Sequence, residues 1–334
     1  MYRYDKIIVV TKRTPFQELI ERFGTRSQAK FYMEQAVLHA GHTNRVAGAE
    51  APSYTAYERA DALYQEAVRH LKDTLAGRGR TQFLDSGYLS TFTFGPTDLV
   101  VVIGPDGLVV NTAKYLEEQP ILAVNPDPTT IEGILLPFLP ETVERGLDAL
   151  ATASGAKIRS LTMAEACLND GQVLRAVNDL FIGQRTHVSA RYGIGFSGQQ
   201  ENHSSSGIIV ATGTGSTGWM RSVVTGAFCI GQQMVAREAG GDVKKPDKED
   251  DFYRFDPTSA VLRFAVREPW VSKTTEASIV CGEIRAGQEL EIISQMPQNG
   301  CIFSDGIEVD YLPFNSGSIA RIRVSDRRVA LIVP

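Results

Sequence analysis

Residues 207–219 read GIIVATGTGSTGW. Ile208, Ile209, Val210 and Ala211 form an apolar run. Thr212, Gly213, Thr214, Gly215, Ser216, Thr217 and Gly218 follow without a break, and a helix-compatible segment comes next. A strand that empties into a small-residue turn and then a helix start makes a cradle of phosphate size. Glycines let backbone N–H groups converge, hydroxyls add donors, and the helix N-terminus adds positive partial charge. A plain Gly/Ser/Thr connection between two elements would use the same residue types. On the phosphate reading the candidate ligands are Thr212, Thr214, Gly215, Ser216 and Thr217, with Ser222 shortly after them.

Three other constellations carry chemistry-bearing residues. Gly104-Pro105-Asp106-Gly107 follows the apolar run Leu99-Val100-Val101-Val102-Ile103. A turn at the carboxyl end of a parallel strand is where open α/β sheets hold ligands. Gly104 and Gly107 permit close backbone approach there, and Asp106 would project into the crevice. The same types also favour a simple Pro-Asp-Gly β-turn. Asn111 and Lys114 stand on the short segment that follows and could approach the same crevice, though Lys114 reads equally as a solvated surface lysine. Asn178-Asp179 interrupts the apolar stretch 173–182. Buried, each side chain needs a partner, which a ribose hydroxyl or a base edge can supply; at a strand end, both are solvated. Phe303-Ser304-Asp305-Gly306 reads as a strand running into an Asp-Gly hairpin turn.

Positioning these residues requires two kinds of scaffold. In residues 1–150, strands are expected at 6–11, 99–103 and 121–124. Helices are expected from Pro15-Phe16 onward, at 27–38, at 56–75 and at 111–117. Ala60, Leu63, Ala67, Val68 and Leu71 recur at helical spacing in the third of these. Continuous apolar strands alternating with helices predict an α/β domain with a mostly parallel sheet covered on both faces. In residues 151–334 the texture changes to short strands separated by Gly, Asn, Asp and Ser. They are expected at 173–182, 187–196, 207–211, 260–266, 277–281, 290–294, 300–303 and 319–324. This predicts a β-rich second domain, with the last strand free to return to the first. The charged run at 242–251 (DVKKPDKEDD) reads as an exposed loop.

Composition narrows the class. A net charge of −5 over 334 residues argues against nucleic acid as a partner. Cys167, Cys229, Cys281 and Cys301 form no CxxC or Cys/His cluster, so neither zinc nor another protein-built metal site is expected. Reduced thiols and the absence of a signal-peptide pattern in MYRYDKIIVV predict a cytoplasmic protein. The aliphatic runs are too short to span a bilayer, so no membrane partner is expected.

Taken in chain order, these motifs resemble the NAD kinase family, which has sequence relatives among lipid kinases. The family's Gly-Gly-Asp-Gly turn stands here as Gly104-Pro105-Asp106-Gly107, and its Asn-Glu pair as Asn178-Asp179. Its Thr-Pro-Thr-Gly-Ser-Thr loop stands as Thr212-Gly213-Thr214-Gly215-Ser216-Thr217. Asn125 with Gly133-Ile134-Leu135-Leu136-Pro137-Phe138 echoes a further asparagine and glycine-rich turn. The resemblance covers residues 98–320. Four positions depart from the pattern. Pro105 removes an N–H, Asp179 is a methylene shorter than glutamate, Ser206 replaces a frequent aspartate, and Trp219 supplies the aromatic after the loop.

The resemblance implies a two-domain NAD kinase-like architecture and ATP-dependent phosphorylation of the adenosine-ribose 2′-hydroxyl of NAD to give NADP. Asp106 would be the general base. Gly104, Gly107 and the 212–217 loop would hold phosphate oxygens, and Asn178 and Asp179 would fix the nucleoside. Mg²⁺ would arrive on the nucleotide. The implied ligands are NAD(H) or NADP(H) and ATP or another phosphate donor, and the implied assembly is a homodimer or homotetramer. Two other readings stay open: a nucleotide-binding sensor whose catalytic turn Pro105 has weakened, and a kinase of another small alcohol or a lipid.

Overall fold

The computed structural model describes residues 4–40, 53–151, 156–239 and 253–334, and the charged run at 242–251 lies outside them. The chain folds as two units, Met1–Ile158 with Leu331–Pro334, and Arg159–Ala330.

The first unit opens with β1 (Lys6–Thr11) and α1 (Pro15–Phe23). Thr14 caps α1: its hydroxyl accepts the Gln17 N–H while the Gln17 side chain accepts the Thr14 N–H, and Pro15 occupies the first turn. There follow α2 (Arg26–Ala40), α3 (Tyr54–Leu75), β2 (Arg80–Asp85), β3 (Asp98–Ile103), α4 (Asp106–Ala113), β4 (Ile121–Val124) and α5 (Val143–Ala151). The strands run parallel in the order β2-β1-β3-β4, and Leu331 pairs in parallel with Ile121 at the open edge of β4. On one sheet face Ile7, Val9, Leu99 and Val101 pack against Leu71 and Leu75 of α3 and Val143 and Leu147 of α5. The expected α/β unit with a parallel sheet is present.

One helix differs in place. The segment at 111–117 is not the helix; α4 starts at Asp106, and Gly104-Pro105 alone makes the turn. Pro105 sits at φ −75° as the residue before the first helical position. A proline there forfeits only an N–H that a helix start leaves unpaired, and an aspartate at the next position favours the helix dipole. β2 follows the break at Arg78-Gly79-Arg80 and carries only Leu84 buried, which is why its sequence does not read as a strand.

The second unit is antiparallel and built of β5 (Lys157–Leu168), β6 (Val173–Ala176), β7 (Asp179–Gln184), β8 (Ala190–Phe196), β9 (Gln199–Ser205) and β10 (Ile208–Ala211). After them come α6 (Trp219–Ala239), β11 (Val261–Val266), β12 (Cys281–Arg285), β13 (Leu290–Ser294), β14 (Gly300–Ser304), β15 (Ile307–Pro313) and β16 (Ile319–Val333). Six strands pair in the order β12-β11-β10-β7-β14-β15. Their inner face, with Leu180, Ile182, Ile208, Val210, Phe264 and Ile302, packs on Tyr192, Ile194, Ile292 and Ile322 of the neighbouring β8-β13-β16 layer. Their outer face carries Phe181, Ile209, Ala211 and Phe303 under Trp219, Met220 and Val223 of α6. The β-rich architecture is present, with two changes of detail. The expected strand 173–182 is two strands broken at 177–178, and the one expected at 277–281 begins only at Cys281.

Candidate functional site

The first unit positions Asp106. It is half-buried at the head of α4, where β3 ends. Its Oδ1 accepts the Leu135 N–H at 2.6 Å. Leu135 belongs to a segment tied to the end of β4: the Asn125 N–H donates to Phe138 O at 2.8 Å, and Asn125 Nδ2 donates to Ile131 O at 3.0 Å. Gly133 makes that segment possible, since it lies at φ +68° and a Cβ would stand 2.6 Å from Asn125 Nδ2. The two motifs are thus one device that fixes the rotamer of a carboxylate. A Cβ on Gly104 would meet Leu108 Cδ2 at 2.7 Å, so this glycine serves the packing of α4 on β3. Gly107 is exposed with nothing near its missing Cβ, and Asn111 is half-buried further along α4.

The second unit joins three motifs. Asp305 and Gly306 form a hairpin turn, with φ +57° and +72° in the sense that two-residue hairpins prefer. The turn reading is correct and incomplete. The Asp305 carboxylate also reaches back to the break between β6 and β7, where Oδ2 accepts the Val177 N–H at 3.1 Å. Its Oδ1 accepts the N–H groups of Asn178 at 2.7 Å and Asp179 at 3.2 Å. From the same break, Asn178 O accepts the Thr212 N–H at 2.9 Å, and Val177 O accepts the Thr212 hydroxyl. Sequence reasoning missed Asp305 as a site residue. Its partners lie 126 to 128 positions away, and nothing local announces them.

The loop does not use its hydroxyls uniformly. Thr212 Oγ1 donates inward and also accepts the Gly215 N–H at 3.2 Å, while Ser216 Oγ donates to Gly213 O at 2.7 Å. Both hydroxyls brace the loop from inside. The glycines likewise serve close backbone approach: a Cβ on Gly215 would stand 2.0 Å from Asn178 O, and one on Gly213 2.4 Å from Asp256 O. Thr214 Oγ1 is buried and, among the described residues, has no hydrogen-bond partner. Thr217 is half-buried, and Ser222 is exposed on α6.

Asp179 is the group most in need of a ligand. It is 6% exposed, and among the described residues its carboxylate takes no hydrogen bond. Burial, reinforced by the negative charge of Asp305, pushes its pKa up to about 7. A buried, unpaired acid with a perturbed pKa marks a functional site. Two residues further along β7, on the same sheet face, Phe181 stacks on Trp219 (5.6 Å, 9°) and on Phe303 (4.8 Å, 29°). Arg267 lies over the Trp219 ring at 5.3 Å. Phe181, Trp219, Phe303 and Arg267 line a cavity of about 470 Å³, together with Arg185, Glu268 and Glu308, whose aromatic wall suits a flat heterocycle; Asp179 lies outside its lining.

The shifted pKa fixes a stability prediction. The folded-state value, about 7, lies above the ordinary 3.8, so the folded protein holds this proton more tightly than the unfolded chain does. Stability therefore falls as pH rises from about 4 to about 7 and is level beyond. Asp179→Asn removes that fall. Its melting temperature is expected to match the wild type at pH 4 and exceed it at pH 8, by up to about 4 kcal/mol in stability. Melting curves at the two pH values check this, and an unchanged difference between them refutes it.

Among the described residues, no group of three or more His, Cys, Asp and Glu can hold a metal ion, and no helix is long and apolar enough to cross a membrane.

The two-unit arrangement, a parallel α/β sheet and a β-rich partner carrying the Asn-Asp pair and the glycine–threonine loop, is a fold of the NAD kinase type. It resembles yeast NADH kinase complexed with NADH at a TM-score of 0.55, 16% identical and covering 98% of this chain and 83% of that one. It also resembles an NAD kinase from Archaeoglobus fulgidus in complex with ATP, at a TM-score of 0.53 and 16% identity, covering 98% and 93%. No protein-family model matches. In sequence, the chain is 31% identical to an NAD kinase of Geobacter sp. (strain M21) over 164 residues, which is 46% of this chain and 54% of that one. It spans about half the length of that relative. It is 21% identical to the mitochondrial NAD kinase 2 of Rattus norvegicus over 97% of this chain and 86% of that one.

Proposed function

We propose that this chain transfers the γ-phosphoryl group of ATP to the adenosine-ribose 2′-hydroxyl of NAD, giving NADP and ADP. The observation that carries the reading is the buried Asp179 carboxylate. Among the described residues its side chain takes no hydrogen bond, and its backbone amide donates to Asp305 beside the Thr212–Thr217 loop. Such a group is completed by a ribose hydroxyl donor.

In the transfer, the 2′-oxygen forms a bond to the γ-phosphorus. The bond between that phosphorus and the β,γ-bridging oxygen breaks, and ADP leaves with the electron pair. Asp106 accepts the hydroxyl proton. Its second oxygen serves, because Oδ1 is engaged with Leu135. Asn178 and Asp179 orient the nucleoside. The backbone of Gly104, Gly107 and the loop, the Thr214 hydroxyl and, further out, Thr217, Ser222 and Asn111 hold phosphate oxygens. Thr212 and Ser216 shape the loop rather than contact ligand. Phosphoryl transfer asks mainly for this alignment and for charge neutralisation. Mg²⁺ fits as an ion carried by the nucleotide, where it neutralises phosphate charge. The resemblance supports a homo-oligomer, and the dispersed cysteines support a cytoplasmic location.

The test is direct. Purified protein with NAD, ATP and Mg²⁺ is expected to accumulate NADP, read by an NADP-specific dehydrogenase. Pro105 favours one alternative, because a turn with one N–H fewer gives a weaker phosphate nest. Tight NAD(H) or NADP(H) binding without turnover would establish a nucleotide sensor.

A further inference from the structure

Helix α6 outruns the surface that it packs on. Its first half sets Trp219, Met220, Val223 and Val224 against Phe181, Ile209, Ala211 and Phe303 on the outer sheet face. Past Val224 no described side chain of α6 joins that cluster, yet the apolar pattern goes on. Met220, Val223, Ala227, Ile230 and Met234 recur at alternating steps of three and four residues, the spacing that lays a stripe along one helix face against a second helix. The sheet covers the first two. The other three are exposed, Ile230 at 62% and Met234 at 65%, with Val235 beside them at 67%.

Two further features mark this half as a contact surface. Residues 222–236 carry no charged side chain, although Arg221 and Arg237 bracket them. A helix that stays in water normally presents charged residues on its outer face. Gly226 and Gly231 stand inside the helix, where each costs about 1 kcal/mol relative to alanine. A Cβ on either would meet nothing within 4 Å, so packing among the described residues gives no reason for a glycine. The close passage of another backbone does.

The chain's own segments outside the described residues offer little to cover this stripe. Val243 and Phe252 are the only large apolar residues of 240–252, and Val46 is the only one of 41–52. A bilayer surface would ask for lysine or arginine on the polar face, and 222–236 has neither. A second copy fits. Across a two-fold axis a surface meets itself, so a charge near the axis faces its like, and an uncharged helix avoids that repulsion. With the helices antiparallel and the axis between residues 230 and 231, Ile230 faces Gly231 of the other copy and Ala227 faces Met234, a large side chain on a small one at each step.

We propose that the second half of α6 is a self-association surface, on which two copies of this chain pair antiparallel through Ala227, Ile230, Gly231 and Met234. The inference deepens the homo-oligomer reading by assigning its surface, and it is read as mass, independently of NADP formation. It also reaches the site. α6 begins just past the Thr212–Thr217 loop, at the Trp219 ring that stacks on Phe181 and Phe303, so pairing steadies that ring.

Sedimentation of wild type at micromolar concentration is expected to give twice the mass of the chain. Met234→Glu changes an exposed position, should stay folded by circular dichroism, and is expected to weaken association about thirtyfold or more, the loss of one interface hot spot. Cys281 is exposed, so cross-linking uses a Cys281→Ser background. There Ile230→Cys is expected to form a disulfide between copies under mild oxidation, because the two thiols meet beside the axis, and the parent none. A monomeric wild type overturns the proposal, whether or not it binds phosphatidylcholine vesicles. A folded Met234→Glu that stays fully dimeric also overturns it, as does an Ile230→Cys dimer that does not cross-link; either result leaves a homo-oligomer built on another surface. Failure to form NADP overturns the phosphotransferase reading alone, and the mass measurements still decide this one.

Discussion

Asp106→Asn is expected to lower kcat for NADP formation by about 10²- to 10⁴-fold, the range that a positioned general base contributes. The structure makes this substitution a clean probe. Asp106 does one structural job, accepting the Leu135 N–H through Oδ1 at 2.6 Å, and an asparagine carbonyl oxygen can do the same. The variant keeps the tie between α4 and the 133–138 segment and loses only proton affinity. Melting temperature and the KM for both substrates should therefore stay near wild type while kcat collapses, the signature of a contribution made in the transition state. Equal rates in the two proteins would remove Asp106 from the chemistry. A loss of stability matching the loss of rate would instead make it a structural acceptor. Gly133 provides the internal contrast. A side chain there is strained at φ +68° and collides with Asn125, so Gly133→Ala should release the Leu135 amide and impair folding and rate together.

The sequence discloses elements and loses partnerships. Leu99–Ile103 of β3 and the whole of β4 are legible because they are buried throughout and unbrokenly apolar. β9, QQENHSS, is not. Only His203 and Ser205 on it are buried, and its place beside β8 comes from a tight turn at Ser197-Gly198 with positive φ at both residues. The head of α4 was obscured by its own glycine. Gly107 suggests a turn, yet it lies inside the first helical turn, where an exposed glycine is tolerated. The site shows the same division. The loop, the Asn-Asp pair and both Asp-Gly turns stand out by residue type. Which hydroxyls face inward is set by the carbonyls of Val177 and Gly213, and no residue near the loop encodes the first of these. The sequence reads the loop glycines as letting backbone N–H groups converge, and at 213 and 215 the structure adds a packing role for them. They are room for the backbone of Asp256 and Asn178.

Asp305→Ala is expected to cost about 3 kcal/mol or more and to lower the melting temperature of the second unit by roughly 6–12 °C. Three consecutive amides, those of Val177, Asn178 and Asp179, share this one carboxylate, and Val177 and Asp179 are buried. Hydrogen bonds to a charged acceptor are each worth about 1.5–3 kcal/mol, and water can replace only part of them here. Asp305→Asn separates position from charge. Its carbonyl oxygen can still accept from Asn178 and Asp179, and asparagine tolerates the φ of +57° that the hairpin requires. Most of the stability should return. The negative charge facing Asp179 does not return, so the Asp179 carboxyl should titrate below its present value of about 7. Ribose hydroxyls donate best to the ionised carboxylate, so nucleoside affinity in the wild type should strengthen as pH rises through 7, and in Asp305→Asn the same rise should come at lower pH. A purely structural Asp305 would move the melting temperature and leave that midpoint where it is. NAD titrations of both proteins from pH 5 to pH 9 distinguish the two roles, because only a positioning residue that also sets the charge state of Asp179 shifts the curve along the pH axis.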